Sequence, residues 1–347
     1  MRVLIVGGGI AASYLANNLK KEDSSLEVTI LSEEEFAPYD RIHLCRLVDK
    51  NANMDEISLH IDPTVKVELN QKITHIDKEQ KRVFSSNAMF SYDKLILATG
   101  SLPISLFDIK DISNAAVFRS ANDCSIISNG VKGREVVVVG SGPIGLELLE
   151  TLNEMPNVES ITLLLRGKHL YSKDLSIDAI KTIEGCYLKN GKVKISYEDE
   201  IIEKIIVDNE ILSLKTKKLE LTNLFLIFGT GIKPNIENFR ETLASKKGIL
   251  TNLYMQTEDE NIYAVGECAE VEAFNFVAGH VKECTTQADT AISHILGKET
   301  KEFVLETSID MLKVGEFDLV EVNSPKFTQK YEKVVIASKV DSRIDEY

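Results

Sequence analysis

The sequence predicts an α/β protein of two parallel-sheet domains, the second inserted in the first, followed by a small α+β segment. Three observations predict this. The apolar run Val3-Leu4-Ile5-Val6 passes directly into Gly7-Gly8-Gly9-Ile10-Ala11-Ala12. A second run, Val136-Val137-Val138-Val139, passes into Gly140-Ser141-Gly142-Pro143-Ile144-Gly145. Two more buried runs end in small-residue turns, at Ala98-Thr99-Gly100 and at Ala264-Val265-Gly266-Glu267. In each glycine fingerprint a strand turns tightly into a helix, the backbone can approach a pyrophosphate closely, and the helix start offers free N–H groups. Two such motifs in strand–turn–helix context imply two Rossmann-like, dinucleotide-binding domains. Two dinucleotides on one chain suit hydride transfer from a nicotinamide to a flavin.

The elements follow in order. Residues 2–6 read as a strand, 10–20 as a helix and 27–31 as a strand, one βαβ unit. Residues 92–100 form a buried strand and turn. A second βαβ unit starts at Glu135 and runs through a helix at 143–154 to a strand at 161–165. Residues 193–195, 201–207 and 211–214 read as antiparallel strands, with Asp208-Asn209 as a turn. Residues 224–228 give a buried strand ending at Gly229-Thr230-Gly231, and 261–267 a strand with an acidic turn. The expected domains are 1–101 with 224–297, the insert 102–223, and a small charged segment 298–347 with alternating stretches such as 331–337.

Composition narrows the function. The 347 residues carry 40 Lys+Arg against 54 Asp+Glu, a net charge of −14, which disfavours a nucleic-acid or anionic-membrane surface. No apolar run approaches a membrane span, and the short run at 2–6 reads as a first strand rather than a signal peptide. A cytoplasmic protein is expected. Cys45, Cys124, Cys186, Cys268 and Cys284 form no Cys-x-x-Cys pair, so neither a disulfide framework nor a metal site is expected.

Four motifs together carry a resemblance: Gly7-x-Gly9-x-x-Ala12, Ala98-Thr99-Gly100, Gly140-x-Gly142-x-x-Gly145-x-Glu147 and Ile262-Tyr263-Ala264-Val265-Gly266-Glu267. They resemble the flavoprotein reductases of the pyridine nucleotide–disulfide oxidoreductase superfamily, with their glutathione-reductase-like fold. Pro38-Tyr39-Asp40-Arg41-Ile42-His43-Leu44 and Ala264-Val265-Gly266-Glu267-Cys268 are similar to the flavoprotein module of NADH-dependent nitrite reductase large subunits and to rubredoxin and ferredoxin reductases. The stretch Ser308-Ile309-Asp310-Met311-Leu312-Lys313-Val314 is similar to their small C-terminal domain. The resemblance implies FAD, NAD(P)H and a separate small acceptor protein: rubredoxin, ferredoxin, or a nitrite or nitrate reductase component. Sirohaem and iron–sulfur domains have no counterpart here, so nitrite reduction by this chain alone is not expected.

The resemblance also implies roles. Gly7, Gly9, Ile10, Ala11 and Ala12 are expected at the FAD pyrophosphate, with Arg41 along it. Ser32 stands where the family carries a ribose-binding acid, and Glu33 is next. Ile73, Ala98, Thr99, Gly100 and Gly266 are expected to approach the FAD. Glu267 resembles the acid that binds the ribityl chain, with a following helix pointing its N-terminus at the flavin. Gly140, Gly142, Pro143, Ile144, Gly145, Gly229 and Gly231 are expected at the nicotinamide dinucleotide. Glu147 resembles an acid near nicotinamide and flavin. An NAD enzyme generally ends its second strand in Asp or Glu; here Leu165-Arg166-Gly167-Lys168 stands instead. Arg166 and Lys168 suit a 2′-phosphate; stacking of Arg166 on adenine is the alternative. Arg46 is expected either to supply positive charge near flavin N5 or to be a surface arginine. Cys45 is a small residue without redox role in the main reading. The alternatives are a peroxide or coenzyme A-disulfide reductase using Cys45, and a poorly turning-over flavoprotein scaffold or nucleotide sensor.

Overall fold

A computed structural model describes residues 1–170 and 177–306. Beyond these it describes the backbone of the strands Ser308–Val314, Phe317–Asn323 and Val335–Ser338. The chain forms two units: residues 1–41, 54–102 and 233–305, and residues 42–53, 103–232 and 306–347.

The first unit is built on a five-stranded parallel sheet. Its order is Ile262–Ala264, Lys94–Leu97, Arg2–Val6, Glu27–Leu31, Lys66–Glu68. The central strand is apolar on both faces because both are covered. Val3 and Ile5 pack with Leu15, Leu19 and Ala291 of the helices Ile10–Glu22 and Val281–Ile295. Leu4 and Val6 point the other way, to Ile73, Ile76, Val83 and Phe239. Both glycine-bearing turns and the acidic turn lie at the carboxyl ends of these strands.

The second unit repeats the design: Val193–Ser196, Ile161–Leu164, Glu135–Val139, Leu224–Phe228, Ala115–Val117, all parallel. The helix Pro143–Glu154 buries Leu146, Leu148, Leu149 and Leu152. An antiparallel hairpin joins Ile201–Val207 to Glu210–Thr216. Asp208 and Asn209 turn it with φ of 50° and 62°, the left-handed pair that matches strand twist.

Two expected placements are corrected. Leu224–Phe228, assigned above to the outer domain, pairs with Glu135–Val139 and Ala115–Val117. All five of its residues are buried, and that central slot is what its unbroken apolar run fits. Val193–Ser196 pairs parallel to Ile161–Leu164, not antiparallel to the hairpin. Two boundaries also differ. Residues 42–53 group with the second unit, where Cys124 Sγ meets Leu44 O at 3.5 Å, and residues 298–305 stay with the first, where Phe303 N donates to Leu253 O. The three described C-terminal strands form one antiparallel sheet. Residues 331–334 of the expected alternating stretch lie outside the described residues.

Candidate dinucleotide sites

In the first unit, a carbonyl shapes the glycine turn. Gly7 has φ +128°, and a Cβ on it would lie 2.1 Å from Ala98 O. A Cβ on Gly8 would lie 2.5 Å from Ser32 Oγ. Gly9 caps the helix Ile10–Glu22 without a side chain, so the first-turn N–H groups stay available to an anion. Ala12 is buried in the core behind the turn, while Ile10 and Ala11 are half-buried beside it.

Neither residue expected at the second strand's end is a simple ribose acceptor. Ser32 is buried, and its Oγ accepts from Glu34 N at 3.3 Å. Glu33 is exposed and pairs with Lys72 at 2.9 Å. The next residue, Glu34, is engaged on both carboxylate oxygens. Its Oε1 accepts from Arg41 at 2.5 Å and its Oε2 from Tyr39 Oη at 2.5 Å, while Arg41 also donates to Tyr39 Oη at 2.7 Å. Burial pulls the Arg41 pKa down, but Tyr39 and Glu34 outweigh it and leave it raised. This triangle holds a permanent cation next to the turn, with Arg41 Nε 4.0 Å from the Cβ position of Gly9.

The other side of the turn is made by two strand ends. Thr99 Oγ1 donates to Asn235 O at 2.7 Å, and Gly100 O accepts from Asn235 N. Ser101 Oγ donates to Glu267 Oε2 at 2.8 Å. Glu267 sits in a three-residue 3-10 turn, Gly266–Cys268, and no helix follows it directly. The expected helix starts only at Val281, because residues 269–277 first add two short strands. That helix does return to the turn: Gly266 N donates to Gln287 Oε1 at 2.7 Å. Gln287 is fully buried, and its Nε2 has no partner among the described residues. Ile73 is a core residue whose carbonyl accepts from Asn238.

In the second unit the same device recurs. Gly140 has φ +106°, and its Cβ would lie 2.4 Å from Gly229 O. A Cβ on Gly145 would lie 2.6 Å from Gly140 O. Gly142 caps the helix and Pro143 is its first residue, pre-set for helical φ. Gly142 and Pro143 are exposed and Ile144 half-buried. Gly231 takes φ +104°, and its carbonyl accepts from Ile104 N. Glu147, in the first turns of this helix, has its pKa raised by burial and then by Glu150. Arg166 and Lys168 are exposed at the end of Ile161–Leu164. Glu198 stands beside them, with Oε1 3.9 Å from Lys168 Nζ. No sequence signal marked Glu198, which lies 31 residues past the turn that it touches.

Arg46 is exposed on the short helix Cys45–Val48. Cys45 packs against the long helix. Burial pushes its thiol up to about 12; a Thr151 hydrogen bond opposes this, and the carboxylates of Glu147, Asp49 and Glu150 add to it. A thiolate nucleophile needs the opposite surroundings.

Among the described residues no helix is long and apolar enough to cross a membrane, and no group of three His, Cys, Asp or Glu is placed for a metal ion.

Known proteins resemble this chain over most of its length. The model of the pyridine nucleotide-disulphide oxidoreductase family matches residues 1–295. The nitrite reductase (NAD(P)H) of Bacillus subtilis is 27% identical over 336 residues, 93% of this chain and 41% of that protein. The assimilatory nitrate reductase electron transfer subunit of the same organism is 27% identical over 331 residues, 92% and 42%. The chain thus spans about two-fifths of these relatives' length. Among solved structures, the putidaredoxin reductase–putidaredoxin complex superposes with TM-score 0.83 at 21% identity, covering 97% of this chain and 87% of that one. A ferredoxin reductase from Rhodopseudomonas palustris gives 0.81 at 20%, covering 94% and 84%. These structures share the fold. With the two carbonyl-lined glycine turns and a family match over most of its length, this chain belongs to the pyridine nucleotide-disulphide oxidoreductases.

Proposed function

We propose that the chain is an NAD(P)H-dependent FAD oxidoreductase that hands electrons to a separate small redox protein. One observation carries the reading: two helix-heading glycine turns, each closed against a carbonyl of a neighbouring strand end, Gly7 on Ala98 and Gly140 on Gly229. A side chain at Gly7 or Gly140 would strike that carbonyl, and the helix start beyond each turn offers N–H groups to a pyrophosphate.

The residues of the first turn fit FAD. Helix N–H groups and Arg41 meet its two phosphate charges, and Glu267, held by Ser101, offers acceptors to the ribityl hydroxyls. The second turn fits NAD(P)H, with Glu147 on the helix Pro143–Glu154 that follows it. Bound FAD supplies a two-electron acceptor that can release electrons singly. The protein contributes stacking geometry and positive charge rather than a covalent nucleophile.

The surroundings of Cys45 speak against the thiol alternative. At neutral pH a thiol with a pKa of about 12 is almost wholly protonated. The acceptor is of the class named in the relatives: a nitrate or nitrite reductase component, or a ferredoxin-like or rubredoxin-like carrier. A cytoplasmic setting suits a chain whose described cysteines form no disulfide.

The test is spectroscopic and kinetic. Fresh protein should carry flavin absorption that NADH or NADPH bleaches without oxygen, and should reduce a dye and rubredoxin or ferredoxin. A colourless protein that takes up no FAD sinks the reading. Turnover of peroxide or coenzyme A-disulfide that disappears in Cys45→Ser replaces it with the thiol branch.

A further inference from the structure

We propose that Glu198 sets coenzyme choice, favouring a 2′-hydroxyl over a 2′-phosphate; this rests on the nicotinamide site proposed above.

A dinucleotide whose pyrophosphate sits on the Gly140–Gly145 turn lays its adenosine ribose over the end of the next strand. That strand is Ile161–Leu164, and Leu165 after it is buried and apolar. By itself this end would present Arg166 and Lys168, a doubly positive face that suits a phosphate. The backbone shows why the face is different. Leu165 N donates to Ser196 O, Asp199 N to Leu165 O at 2.8 Å and Glu198 N to Gly167 O at 3.0 Å. The two strand ends therefore continue side by side beyond the sheet, and residue 198 is fixed against the Arg166–Lys168 turn. Glu198 takes φ +50°, which keeps the connection tight.

Three acids stand in this connection; Glu200 pairs with Lys217 at 2.7 Å, and the other two differ in use. Asp199 is 1% exposed. Its Oδ2 accepts from Ser196 and Thr216, and its Oδ1 accepts from Glu200 N. It is a structural anchor. The Glu198 side chain is 58% exposed, with its carboxylate 3.9 Å from Lys168 Nζ. It offers two acceptor oxygens on the face where the ribose hydroxyls would lie. It also occupies the cation that a 2′-phosphate needs and repels that phosphate. The missing strand-end acid is thus supplied from the neighbouring strand end.

The experiment measures binding, with no turnover involved. The FAD-loaded protein is titrated with NAD+, NADP+ and adenosine 2′,5′-bisphosphate by calorimetry, for the parent, Glu198→Gln and Lys168→Met. The parent should bind NAD+ more tightly than NADP+. Glu198→Gln should tighten NADP+ and the bisphosphate by roughly five- to tenfold, with NAD+ unchanged or weaker. Lys168→Met should weaken the bisphosphate and not NAD+. Parent preference for NADP+, or a Glu198→Gln ratio equal to the parent's, overturns the role of Glu198 and leaves the nicotinamide site standing. A protein that binds neither NAD+ nor NADP+ overturns the site itself, and Glu198's role with it.

Discussion

Ser101 Oγ donates a 2.8 Å hydrogen bond to Glu267 Oε2, joining strand ends 166 residues apart at the first glycine turn. The bond fixes the direction of the Glu267 carboxylate. Ser101→Ala should therefore weaken FAD binding roughly tenfold, about 1.4 kcal/mol, as expected for losing one hydrogen bond to a charged group. Ser101→Thr should keep it. Titration of the apoprotein with FAD checks this; equal affinities for parent and Ser101→Ala would remove Ser101 as a positioning residue.

Gly7→Ala tests the turn itself. The new Cβ would sit 2.1 Å from Ala98 O at a φ of +128°. Backbone must move, at a cost of at least about 2 kcal/mol. The variant should purify with little flavin and melt at lower temperature. A yellow protein with parental stability would mean that the turn relaxes freely.

The turns were legible in sequence because glycine is required where a backbone carbonyl fills the side-chain position, and Gly7 and Gly140 are such places. The central strands were legible because a strand covered on both faces must be apolar throughout, as Leu224–Phe228 is. Its sheet was not legible, since an apolar run does not name its neighbour. The same limit hid Glu198. Its position depends on a backbone bond to Gly167, formed only when Val193–Ser196 lies parallel to Ile161–Leu164. Glu34 was obscured differently. Three consecutive glutamates look alike in sequence, yet Arg41 and Tyr39 engage the middle one while Glu33 pairs with Lys72 in solvent.

One buried thiol predicts a specific alkaline behaviour. Burial, then Asp123 and Cys45, push Cys124 up to about 12 from the ordinary 9.0, and Cys124 is 1% exposed. Below pH 9 both folded and unfolded chains keep the proton, so nothing is lost. Between 9 and 12 the unfolded chain releases it and the folded chain does not. Stability therefore falls as pH rises, by about 1.4 kcal/mol per unit for such a thiol. Cys124→Ala should flatten this fall in urea unfolding at pH 8 to 11. Cys45 should resist iodoacetamide at pH 8, and Cys45→Ser should leave dye reduction intact. Fast alkylation of Cys45 at pH 8 would contradict its burial against the carboxylates.

Glu147 separates a stability role from a functional one. Its folded pKa is raised above 4.5 by burial and then by Glu150. Below the unfolded pKa both states are protonated and the group costs nothing. As pH rises through the folded pKa the unfolded chain ionises more readily, so at neutral pH the carboxylate is a burden on the fold. Glu147→Gln should therefore raise the melting temperature at pH 7, with the gain vanishing near pH 4. The same variant should slow flavin bleaching by NADH or NADPH in stopped flow, while Glu150→Gln should not. If Glu147→Gln gains stability and transfers hydride at the parental rate, Glu147 does not belong to the reacting site.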